Sequence, residues 1–257
     1  MTDRPIIFSA PMVRALLDGR KTQTRRVVKD MPNRPSLDNW KYEPRHAEPY
    51  LDAYCAEQKT PANPRGMSDR WGWWTRDDRP GPLFRVPAAP GDRMWVRETW
   101  RISPDACEGW PPEAVPCKGW IDYRAGGAEE MSAPSFSHAL DAFGRQVDVD
   151  WDCLPETWRP SIFMPRWASR LTLIVEDVRV QRLHEISEED ARAEGTSEPS
   201  LRELGGDLAQ AAWSDRQVFS RLWNSLHGPD AWAANTWVCA LTFRVERRNI
   251  DQEPVHG

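Results

Sequence analysis

Two long stretches without regular patterning, residues 31–83 and 102–157, constrain this chain more than any other feature. Both are rich in Pro and Trp, the first also in Arg and the second in Gly, and neither holds a sustained period of 2 or 3.6. They therefore lack the repeating apolar face that a helical bundle, a solenoid or a doubly wound sheet requires. Irregular segments of this length are functional inserts or disorder. The fold must then come from residues 1–30, 84–101 and 158–248, with 249–257 as a polar tail. The expectation is one domain carrying two inserts.

The remaining segments read clearly. Pro5 to Phe8 is a short apolar run suited to a strand, and Pro11 fits the first turn of a helix, where a missing N–H costs nothing. Met12, Val13, Leu16 and Leu17 share one helical face, and Gly19 stands where a left-handed cap ends the helix. Thr22 to Val28 reads as a strand, with Thr22, Thr24, Arg26 and Val28 on one face and Gln23, Arg25 and Val27 on the other. Further strands are expected at Arg93–Glu98, Ser169–Val180 and Thr236–Val245. Ser187 predicts a helix N-cap, with the short helix ending at Gly195. Ser214 with Gln217 predicts a second, whose buried stripe is Val218, Phe219, Leu222, Trp223 and Leu226 before Gly228. This order of elements indicates an α+β fold built on a small, mostly antiparallel sheet or barrel.

Composition narrows the function classes. Five cysteines (55, 107, 117, 153 and 239) at irregular spacing do not make a disulfide framework, and a reducing cytoplasm is expected. No apolar run approaches the ~20 residues of a membrane helix, so no membrane partner is expected. The net charge is −5, yet residues 1–101 hold 19 basic and 13 acidic side chains, a basic first part that can steer a polyanion. Twenty-nine of the 34 basic residues are Arg, a bias that a GC-rich coding sequence explains without any function. The 15 tryptophans are either packing residues or stacking platforms for bases. There is no G-x-G-x-x-G, P-loop, H-E-x-x-H, G-x-S-x-G or C-x-x-C, so neither cofactor nor metal is expected.

The segment Gly19-Arg20-Lys21-Thr22-Gln23-Thr24-Arg25-Arg26 resembles the G-x-K-x-x-[ET]-x-R motif of the ASCH domain family, a branch of the PUA-like β-barrels associated with RNA. Pro90 to Val96, Leu183 to Gly195 and Trp237 to Val245 resemble the family's Gly-Asp turn and strand, its acidic helix and its closing strand. Trp158 to Ile162 and Met164 to Arg170 resemble the large ASCH-like proteins of phages and prophages. Phe163 stands where those proteins often carry a His. The resemblance implies a PUA-like β-barrel with short packed helices.

It also implies a site. A small bacterial ASCH protein is an amidohydrolase acting on N4-acetylcytidine, and its catalytic Lys, Thr and Glu fall on Lys21, Thr24 and Glu194, with the motif's Arg at Arg26. Gly19 and Arg25 complete the expected ligand-binding set. Amide hydrolysis needs a nucleophile, a proton donor for the leaving amine and a cation for the oxyanion. Lys21 beside Arg26 would have a depressed pKa and could take a proton. Thr24 supplies a hydroxyl, and Glu194 at a helix C-terminus suits acid/base work. Each residue also has a plain structural role open to it: Lys21 answering a helix dipole, Arg25 and Arg26 guarding a strand edge, Glu194 a solvated carboxylate.

Two functional readings follow. In the first, a phage-type ASCH protein binds a nucleobase, nucleotide or nucleic acid, RNA foremost, and extends to hydrolysing an N-acyl group on a modified cytidine. In the second, the fold is a non-enzymatic accessory or assembly scaffold whose Trp- and Pro-rich inserts dock a protein partner.

Overall fold

The computed structural model describes residues 2–33, 49–55, 59–74, 81–102, 117–133, 138–140, 146–148, 158–197 and 213–252. Strands dominate, and three α-helices are present among these residues. In chain order, β1 (Asp3–Ile7), α1 (Ala10–Leu17) and β2 (Gln23–Val27) come first. The first insert follows with β3 (Tyr50–Cys55) and β4 (Met67–Trp74), and β5 (Phe84–Arg85) lies just beyond it. Next are β6 (Arg93–Arg97), β7 (Trp100–Ile102), β8 (Cys117–Tyr123), β9 (Ala128–Ala133), β10 (His138–Leu140) and β11 (Gln146–Asp148). The chain closes with β12 (Thr172–Arg182), α2 (Glu188–Ala193), α3 (Asp215–His227) and β13 (Trp237–Glu246).

Five strands hydrogen-bond in the order β1-β6-β12-β13-β2. β1 runs parallel to β6 and β13 antiparallel to β2. A closed barrel needs its first and last strands to pair. Here β1 and β2 are the two ends of the order, so the sheet is open and the expected barrel closure is not seen. Pro5 fits this arrangement, because a residue without an N–H is tolerated on an edge strand.

The chain divides into two compact units, each assembled from three separated segments. One comprises residues 1–2, 20–92 and 174–244; the other comprises 3–19, 93–173 and 245–257. In the first, α2 and α3 pack through Leu183, Ile186, Ala191, Phe219, Trp223 and Val238. Ser187 and Ser214 start these helices as expected, each accepting a hydrogen bond from the amide three residues on. In the second unit Trp100, Ile121, Tyr123, Met164 and Ala168 form the core. Beside it Arg170 makes a bidentate pair with the buried Glu98 (2.8 and 3.0 Å) and lies over the Tyr123 ring.

The inserts depart from the sequence reading. β3, β4 and β5 form a three-stranded antiparallel sheet, and β7, β8 and β9 form another. β4 lacks alternation because both of its faces are covered: Met67 and Ser68, then Trp71, Gly72 and Trp73, are all buried. Asn63 fixes its start, donating to the Met67 carbonyl and accepting from the Met67 amide. Gly72 packs closely: a Cβ there would stand 2.9 Å from the end of the exposed Leu83 side chain, which would have to shift. The expected polar tail is also partly packed. Ile250 is buried, and the Asn249 side-chain amide donates to the carbonyls of Arg166, Trp167 and Ser169.

Candidate functional site

The strongest cluster of charge lies in the first unit, where β2 meets α2. Gly19 (φ +72°) ends the first helix in the left-handed conformation expected of it, and the chain then extends. The Thr22 amide donates to the Ala193 carbonyl at 2.9 Å, and Lys21 and Glu194 form a backbone bridge. Phe243 in β13 donates to the Thr22 carbonyl from the other side. The start of β2 is thereby held between the closing strand and the end of a helix.

Two periodicities then bring the side chains together. Lys21, Gln23 and Arg25 are two apart along an extended chain, so they share a face. Asp190 and Glu194 are four apart, one helical turn, so they share a face as well. The Lys21 Nζ donates to the Glu194 Oε2 at 2.9 Å and to its backbone oxygen at 2.8 Å. The Arg25 guanidinium donates to the Glu194 Oε1 at 3.1 Å and to the Asp190 Oδ2 at 2.7 Å. Gln23 accepts from Arg25 and donates to Asp190 and to Thr242. Arg179 in β12 reaches Asp190 from the solvent side at 3.0 Å. Lys21 is 1% exposed, Arg25 3% and Glu194 4%.

Burial sets the electrostatics. It pushes the Lys21 ammonium below the ordinary lysine range. The Glu194 carboxylate opposes this, while the charges of Arg26 and Arg25 act with the burial. Arg26 is itself lowered by burial and held up by Glu194. Burial would raise the Asp190 carboxyl, but Arg179, Arg25 and Gln23 outweigh it and hold the group below its usual value. Asp190 and Glu194 thus face Lys21, Arg25 and Arg179, and a proton donor and a proton acceptor stand in direct contact at Lys21 and Glu194.

Of the expected site residues, Lys21, Arg25 and Glu194 meet. Thr24 is buried and pairs in register with Leu241 of β13, and strand alternation turns it and Arg26 to the face opposite Gln23 and Arg25. Arg26 still feels the Glu194 charge. Gly19 acts through its backbone turn. Asp190, Gln23 and Arg179 belong to the cluster and were not expected there. Spacing could have revealed the first two, because Lys-x-Gln-x-Arg on a strand matches Asp-x-x-x-Glu on a helix.

The tryptophans also resolve in part. Trp71, Trp73, Trp95, Trp100 and Trp223 are buried, and Trp74, Trp158, Trp167, Trp213, Trp232 and Trp237 are half-buried. Trp40, Trp110 and Trp151, with Cys107 and Cys153, lie outside the described residues. Among the described residues no group of His, Cys, Asp and Glu is arranged to hold a metal ion. Nor is any described helix long and apolar enough to cross a membrane.

No family model, curated protein or solved structure matches this chain. Its function must be argued from its own residues.

Proposed function

We propose that the Lys21–Glu194 couple, with Arg25 and Arg26, is the ligand site of an ASCH-type protein that binds a nucleobase, nucleotide or nucleic acid, RNA foremost. The observation that carries this reading is the 2.9 Å contact between Lys21 and Glu194 across 173 residues of sequence. These are the two positions that the ASCH-like motif and the acidic helix assign to acid/base work. A surface lysine and a solvated carboxylate would not be buried together against a second cation.

The sharper form of the proposal is hydrolysis of an exocyclic N-acyl group on cytidine. A water molecule adds to the acyl carbon and loses a proton to the Lys21–Glu194 couple. The same couple returns a proton to the exocyclic nitrogen as the C–N bond breaks, so that the carboxylic acid and the free base leave. Arg26 or Arg25 offsets the negative charge on the acyl oxygen. Thr24, turned to the opposite face of β2, is given no step in this scheme. Because the couple is closed to solvent, ligand entry requires neighbouring side chains to move.

Incubation with N4-acetylcytidine, following cytidine release, tests the hydrolytic form. Turnover should fall by at least about 100-fold in Lys21→Met and in Glu194→Gln. Absence of turnover in the native protein, or turnover unchanged in Lys21→Met, defeats it. Binding of a short RNA is the test of the broader form, with affinity expected to fall linearly in log–log terms as salt rises. If cytidine, nucleotides and RNA all fail to bind, the broader form is wrong as well. The docking reading draws no support from the buried and half-buried tryptophans named above.

A further inference from the structure

A second feature of the first unit has the makings of a ligand site and uses none of the residues above. A cavity of about 560 Å³ is lined by Met31, Pro32, Asn33, Trp73, Arg182 and Trp237. It lies at the far end of β2: the Val28 amide donates to the Trp237 carbonyl, and Gln23 is five residues, about 16 Å, further back. Its volume falls within the ~300–1,000 Å³ of small-molecule sites.

The wall chemistry is specific. The Arg182 guanidinium lies over the Trp237 ring, 4.4 Å from its centroid. The Trp73 ring meets Trp237 nearly edge-on, with centroids 5.6 Å apart at 83°. Trp73 is buried, and its indole N–H donates to the Pro32 carbonyl at 3.1 Å, so one hydrogen bond fixes both the ring and the 31–33 wall. Arg182 is exposed, and its one side-chain hydrogen bond among the described residues goes to the Asn235 carbonyl. No carboxylate among the described residues pairs with it. A guanidinium stacked on an indole and lacking an acidic partner presents a flat cation beside two aromatic rings. Asn33 adds an exposed amide that can donate and accept.

We infer that this cavity is a nucleotide-binding pocket, in which the planar base is held among Trp73, Trp237 and the Arg182 plane and the phosphate is met by Arg182. The wall favours a ligand with both features. A neutral ring leaves the cation unanswered, and inorganic phosphate leaves the rings uncovered. The same chemistry is offered by a free mononucleotide and by one nucleotide of a single strand. The pocket does not depend on the Lys21–Glu194 reading, because it shares no residue with that site.

Calorimetric titration with adenosine monophosphate, adenosine, inorganic phosphate and a short single-stranded oligonucleotide is the test. Adenosine monophosphate should bind about tenfold more tightly than adenosine, and phosphate alone more weakly than either. In Arg182→Gln the monophosphate and the nucleoside should bind alike, and Asn33→Asp should weaken the monophosphate more than the nucleoside. Both positions are exposed, and an unchanged thermal midpoint verifies that the variants fold. Tighter binding of the oligonucleotide assigns the pocket to a strand, and equal binding assigns it to free nucleotides. Equal affinity for monophosphate and nucleoside in the native protein overturns the inference, as does full monophosphate affinity in Arg182→Gln or no binding of any of the four. Nucleotide binding that survives Arg182→Gln but fails in Lys21→Met would place the ligand at the other site. Loss of N4-acetylcytidine turnover alone leaves this pocket standing.

Discussion

Glu194 is the residue on which the ionic cluster turns, since one of its oxygens takes the Lys21 ammonium and the other the Arg25 guanidinium. Breaking a buried pair by removing one partner leaves the opposite charge uncompensated, at a cost of about 3–5 kcal/mol. Glu194→Gln should therefore lower the unfolding free energy by about that amount in urea titrations. It should also push the Lys21 pKa lower still, because the carboxylate is what holds it up. The sign for the native protein follows from the same shift. Lys21 in the folded chain titrates below its unfolded value of ~10.4, so between the two the unfolded chain holds the extra proton and stability rises with pH. Urea midpoints measured up to that value should climb, and Lys21→Met should flatten the climb. Asp190 acts in the opposite range. Its folded pKa is depressed, so its stabilisation is complete above the unfolded value of 3.8 and is lost as pH falls through the folded one. Asp190→Asn should make acid unfolding less steep; an unchanged acid limb would show that its ion pairs with Arg25 and Arg179 carry no stability.

At the scale of elements, caps and turns make separable predictions. Ser187→Ala and Ser214→Ala each remove a side-chain acceptor from a helix start and should each cost about 1 kcal/mol by chemical denaturation. Gly19→Ala meets no atom within 4 Å, so its penalty is purely one of backbone, about 1 kcal/mol for a left-handed residue. These same devices made the helices legible in the sequence, because Ser–Gln and Ser–Asp spacings and terminal glycines are local signals. β2, β6, β12 and β13 were legible through apolar or β-branched runs. β4 was not, because a strand covered on both faces loses its period, and its serine and glycine are buried alongside its tryptophans. Barrel closure was expected by family resemblance, and nothing in local pattern could show that β1 and β2 are left as ends. The site divides in the same way. Lys21 and Glu194 came from the motif, whereas Asp190 and Gln23 needed strand and helix periods to be laid side by side. Arg179 joins by tertiary approach alone, which no sequence spacing encodes.

For the whole molecule, the decisive feature is that neither unit is a continuous piece of chain. The segment after β13 shows what this requires in the second unit. Asn249 satisfies three carbonyls, Arg166 pairs with Asp3 and Asp251, and Ile250 is buried. Asn249→Ala leaves those carbonyls without their donor and should cost about 2–3 kcal/mol in a thermal or urea melt; a change under about 0.5 kcal/mol would show that water replaces the amide fully. The first unit has the same dependence with larger consequences. As the protein leaves the ribosome, Lys21 and Arg25 must wait 173 and 169 residues for the carboxylate that answers them, and the neighbour strand of β2 is translated later still. A nascent chain halted before Asp190 and Glu194 therefore holds its cationic opening segment unshielded, and such truncated products should be cut by protease there while the finished protein resists.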